Sequence, residues 1–176
     1  MEAEAAEPDA EPSAAAPSAA DAEAPAIEIA PAERELVLEE IAALNGALQD
    51  PEARARYRRL AGAVAAGAVP AELAGSLAAV LELSLTSGRA RRLHGAEHEA
   101  ALRRIFFQTP AGAVLRQSAA DANRALAGLA GQRLEAVAFT AQAPGRFRLQ
   151  VDTDRCQLAL DIGPGGVAAG TVSVEL

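Results

Sequence analysis

Residues 146–176 read RFRLQVDTDRCQLALDIGPGGVAAGTVSVEL, and their period decides the fold. Phe147, Leu149 and Val151 alternate with Arg148, Gln150 and Asp152. Cys156, Leu158, Leu160 and Ile162 alternate with Gln157, Ala159 and Asp161, and Val172, Val174 and Leu176 with Thr171, Ser173 and Glu175. Successive side chains of a strand point to opposite faces, so each run predicts a strand with one apolar and one polar face. Residues 134–140 supply a fourth. The connections at Pro144-Gly145, Thr153-Asp154 and residues 163–166 are too short for a parallel crossover, which leaves an antiparallel meander. Its apolar face needs a cover, and the sequence upstream is expected to provide one.

Upstream the period is helical. Residues 33–49 set Val37, Ile41, Leu44 and Leu48 on one stripe. Asp50-Pro51-Glu52 has the signature of a helix start: an N-cap, a first-turn Pro and a first-turn acid. The helix it opens turns Tyr57, Leu60 and Val64 inward and Arg54, Arg58 and Arg59 outward, and Gly67 stops it. From Pro70 a third helix is apolar nearly all round, with Leu73, Leu77, Val80, Leu81, Leu83 and Leu85, and is expected to be the most buried. It is predicted to run through Gly88 to Leu93 before Gly95 ends it. A short fourth helix holds Leu102, Ile105 and Phe106. Thr109-Pro110 caps a fifth, with Val114, Leu115, Ala122, Leu126 and Leu129 inward and Gly131 at its end. The predicted architecture is α+β in two layers, about five N-terminal helices packed on a C-terminal four-stranded antiparallel meander. Residues 33–131 and 132–176 form the helical and sheet parts of one domain.

The charge is concentrated in front of that domain. Of 176 residues with net charge −8, residues 1–33 hold nine acids and no base, while the remainder holds 15 acids and all 16 Arg. There is no Lys, and Ala fills 47 positions. Residues 1–32 are expected to be a disordered acidic tail, because Ala, Glu, Asp, Pro and Ser bury too little apolar area to offset the ordering entropy. Ile27 and Ile29 are the tail side chains expected to dock on the body. An acidic, Pro-broken start does not fit a secretory leader, and no run is long and apolar enough for a membrane span. One Cys excludes a disulfide scaffold. A cytoplasmic protein is expected, and the Ala- and Arg-rich, Lys-free composition points to a bacterial source.

Few motifs carry chemistry. His94-Gly95-Ala96-Glu97-His98 resembles the H-x-x-E-H pattern of the inverzincin metallopeptidases, in which two His on one helical face hold Zn²⁺ and the Glu acts as base. Gly95 is expected to break the helix and part the rings, and the downstream acids Glu135 and Glu175 fall in strand patterns. The expectation is therefore solvent-facing His at a helix boundary. His94, His98 and Cys156 make an open metal site only if folding assembles them. Cys156, in phase with Leu158 and Leu160, is expected to face the core. Asp152, Asp154 and Asp161 surround a hairpin, where acids ordinarily serve turns. Gly163-Pro164-Gly165-Gly166 leads to a strand rather than a helix, so it is a hairpin loop and not a phosphate cradle. Arg54, Arg56, Arg58 and Arg59 form one basic cluster and Arg89, Arg91 and Arg92 another, which the acidic tail is placed to mask.

No catalytic constellation or cofactor fingerprint is present, and no cofactor is expected. The sequence favours a non-enzymatic module that binds another protein or itself, through Arg89, Arg92, Arg103, Phe106 and Phe107. The alternatives are a small-ligand or metal-binding domain, or an Arg-mediated nucleic-acid regulator, which the near-neutral body disfavours.

Overall fold

The computed structural model describes residues 26–174, and side chains as far as residue 170. The expected disorder of the first 25 residues, and their masking of the Arg clusters, lie outside the described residues. The chain enters the body through a short ribbon, β1 (Ile27–Glu28) antiparallel to β2 (Ala68–Val69). Ile27, Ile29 and Val69 are buried there, and each Ile contributes about 1.5–3 kcal/mol of transfer energy. The ordered body thus includes residues 26–32, which composition alone assigns to the tail.

Helix α1 (Pro31–Ala47) buries Val37 and Ile41 of the expected stripe and half-buries Leu44 and Leu48. Helix α2 (Pro51–Ala66) starts where the Asp50 side chain accepts from the amides of Glu52 and Ala53, and ends at Gly67, whose φ is +96°. Helix α3 (Ala71–Thr86) is the buried centre of the helical layer, with Leu73, Leu77, Val80 and Leu81 inside.

The first correction falls at Gly88. With φ at +65° it ends the path of α3 and starts a separate helix, α4 (Arg89–His94), so the described residues form six helices where about five are expected. A positive φ is costly for a side-chain-bearing residue and open to Gly. Helix α5 (Ala96–Phe106) buries Leu102, Ile105 and Phe106. Thr109, fully buried, closes the tight step into α6 (Pro110–Ala127). Its hydroxyl donates to the Phe106 carbonyl at 2.7 Å and accepts from the Gly112 amide at 3.1 Å. Helix α6 ends at Ala127, before Gly131, and only Ala122 and Gly112 are buried along it. Val114 and Leu126, expected inward, are exposed.

Strands β3 (Leu134–Ala143), β4 (Arg146–Thr153), β5 (Cys156–Gly163) and β6 (Gly166–Val174) form the predicted meander in the order β3-β4-β5-β6. Two cores result. The larger lies within the helical layer, among β1, β2 and α1 to α5 with Leu115 of α6 against it. The smaller joins α6 to the sheet through Ala122, Leu158 and Leu160, with Ala125, Leu129, Leu149 and Val167 packed against them. The fold is α+β with a helical and a sheet layer, and α6 is the helix that meets the sheet.

Candidate functional site

The strand register defines one apolar sheet face. Val137, Phe139 and Ala141 of β3 lie opposite Val151, Leu149 and Phe147 of β4. Those in turn lie opposite Leu158, Leu160 and Ile162 of β5. A bulge between Leu134 and Ala136 brings Leu134 opposite Thr153, and so onto the same face. Burial falls away across this face. Leu158, Leu160 and Val151 are buried, whereas Leu134, Val137 and Phe139 are 58%, 55% and 60% exposed. All ten residues of β3 are exposed.

The cause is a mismatch of widths. An α-helix is about 10 Å across, whereas four strands spaced about 4.8 Å apart span nearly twice that. Helix α6 lies over β5 and β6 and leaves β3 and the outer part of β4 bare. Phe139 and Phe147 stack there, ring centroids 5.3 Å apart and planes 15° from parallel. The outer edge of β3 also has no strand partner among the described residues. It carries no Pro, Lys or Arg and one acid, Glu135, so it lacks the usual guards of a free edge.

The residues singled out from sequence separate into different roles. Arg89 donates from Nε to Glu40 at 3.2 Å, and Glu40 is 3% exposed, so Arg89 ties α4 to α1. Phe106, named from sequence as an interface residue, is buried in the core of the helical layer. Phe107 is half-buried with the Arg116 guanidinium 5.9 Å from its ring centre. Arg103 is paired with Glu99 one helical turn away. Arg103, Phe106 and Phe107 do share a cleft of about 460 Å³ with Leu85, Val114 and Pro164. Arg92 is exposed and stands apart from that cleft's lining. Of the second basic cluster, Arg89 and Arg91 both face carboxylates.

His94 and His98 come together despite the helix break. Gly95, at φ +88° and ψ −178°, turns the chain so that the two rings stack with centroids 4.3 Å apart. His94 is solvent-facing as expected, but Nε2 of His98 is buried and has no hydrogen-bond partner among the described residues. Glu39 of α1 joins them, its Oε2 3.4 Å from His94 Nε2. Cys156 does not. Half-buried, it donates from Sγ to Gln132 Oε1 at 3.2 Å beside Thr153, at the start of β5.

The hairpin acids serve structure. Asp154 accepts from the Arg133 amide at 2.9 Å. Asp161 accepts from Arg148 Nε at 2.7 Å and Nη2 at 3.0 Å across the β4–β5 pair. That hydrogen bond holds the Asp161 carboxyl below its usual range and the Arg148 guanidinium above its own. Among the described residues no helix is long and apolar enough to cross a membrane. No protein-family model, curated protein or solved structure matches this chain.

Proposed function

We propose that the protein is a non-enzymatic interaction module that self-associates through the bare half of its sheet. The observation that carries this is the apolar face of Leu134, Val137, Phe139 and Phe147, which no described residue covers beside α6. A contiguous apolar patch with an open strand edge favours association over solvation. A second copy suits the shape. Sheets pack face to face about 10 Å apart, close to the height of the step that α6 makes on the sheet. The bare half of one copy then fits the step of the other about a two-fold axis. The acidic tail does not suit this face, since residues 2–25 contain seven acids and no large aliphatic or aromatic side chain. One Cys and no disulfide fit the reducing bacterial cytoplasm as its setting.

Sedimentation and native mass spectrometry over a concentration series test the reading. The wild-type chain is expected to form dimers at micromolar concentration. Phe139→Asp is expected to weaken them by roughly 30-fold or more, the scale of losing an aromatic hot spot. The fold itself should persist, because Phe139 is exposed within one copy. A wild-type chain that stays monomeric at 100-fold higher concentration than that (about 100 μM) refutes self-association. Dimers that survive Phe139→Asp refute this surface.

A further inference from the structure

The geometry points to a second site, unrelated to the sheet: Glu39, His94 and His98 form a binding site for a divalent transition metal, with Zn²⁺ the best match. One donor atom from each lies within 4.8 Å of the other two. The separation of Glu39 Oε2 and His94 Nε2, 3.4 Å, is long for a hydrogen bond between them. It is close to the roughly 3.3 Å expected between neighbouring donors of a tetrahedral ion with bonds of about 2.0–2.1 Å. His98 Nε2 is withdrawn from water and has no hydrogen-bond partner among the described residues. Two imidazoles and one carboxylate are a borderline donor set that suits Zn²⁺, Co²⁺ or Ni²⁺ over Mg²⁺ or Ca²⁺. Three protein donors leave a fourth position for water.

The cluster is built across three elements, and flanking ion pairs set its dimensions. Glu40, next to Glu39, holds Arg89 at the start of α4. Glu33, two turns earlier on α1, accepts from Arg104 of α5 at 2.9 Å. Between these ties α1 runs along the α4–α5 junction, and Gly95 folds the two His onto each other opposite Glu39. Arg91 is turned toward Glu99, 3.8 Å away, so its charge is partly met there. An ion at this place links α1 to α4 and α5. It therefore stabilises the folded chain: at free metal 100 times the dissociation constant, the folded-to-unfolded ratio rises about 100-fold.

The test uses the full-length chain stripped with chelator and titrated with ZnCl₂, read by calorimetry and native mass spectrometry, with Co²⁺ absorption reporting coordination. One ion per chain is expected, together with a rise in melting temperature. His94→Ala and Glu39→Gln should each weaken binding about tenfold or more and reduce the Zn²⁺-dependent rise. Cys156→Ser should change neither. His98→Ala is the most direct change but carries a folding risk, so the two variants at exposed positions decide. Absence of stoichiometric binding overturns the site. Binding of equal strength in His94→Ala and Glu39→Gln also overturns it, and locates the ion elsewhere on the chain.

Discussion

Replacing Arg89 with Met separates a structural role from an interface role at one position. The change keeps an unbranched stem in place and removes the charge that meets Glu40 Oε2 at 3.2 Å. At that distance, and with an effective dielectric near 20, the direct attraction is roughly 5 kcal/mol. Desolvation of Glu40 offsets much of this in the wild type, but the variant keeps the desolvation and loses the attraction. Breaking a buried pair from one side typically costs about 3–5 kcal/mol. Arg89 is 42% exposed, so water screens its half and the expected loss is nearer 2–3 kcal/mol. For a body of this size that lowers the melting temperature by roughly 5–10 °C. Urea denaturation followed by circular dichroism measures it directly. The double variant Arg89→Met/Glu40→Leu should regain most of the loss, because an apolar pair replaces the stranded carboxylate. A single variant within about 0.5 kcal/mol of wild type, or a double variant no better than the single, refutes the buried-pair reasoning. Unchanged stability with weakened association would restore the interface role that composition suggests for Arg89.

Three further outcomes are expected. Phe106→Ala should cost about 3–5 kcal/mol, as truncation of a core Phe does, and Phe107→Ala clearly less, because its ring is half-buried; chemical denaturation ranks the two. Gly112→Ala should destabilise the chain by about 1–3 kcal/mol or more, because a β-carbon there falls on the Phe106 carbonyl and 2.7 Å from Phe107 Cα, both backbone atoms; a thermal melt reads it. For Asp161, the folded carboxyl titrates below its unfolded value, so its bond with Arg148 contributes stability that is complete at neutral pH and is lost as pH falls through the folded value. Carboxyl NMR titration should show this depressed pKa, and Arg148→Met should return it toward the ordinary range.

The meander, the helix starts and the most buried helix are legible in the sequence because each rests on local physics. Alternation along Phe147–Asp152 needs only the geometry of one strand, and the Asp50 cap needs only the first amides of its own helix. The expected continuation through Gly88 fails for the same reason: a single Gly in an apolar pattern is compatible with continuation or with a left-handed stop, and neighbouring packing selects between them. Adjacent Phe106 and Phe107 carry no local mark of which one the core takes. The H-x-x-x-H spacing of His94 and His98 is visible, but Glu39 lies 55 positions before His94 and only the packing of α1 on α4 and α5 brings it there.

By itself, then, the sequence determined the four strands of the meander, the main helices, their order and the acidic composition ahead of the body, all set by periods of two and 3.6 residues and by charge. Tertiary structure decided what covers what. Val137 and Phe139 of β3 follow the same alternating pattern as Leu158 and Leu160 of β5 and lie on the same sheet face, yet the first pair is exposed and the second buried. Periodicity fixes the direction of a side chain relative to its strand, whereas burial depends on how far a single helix reaches across four strands.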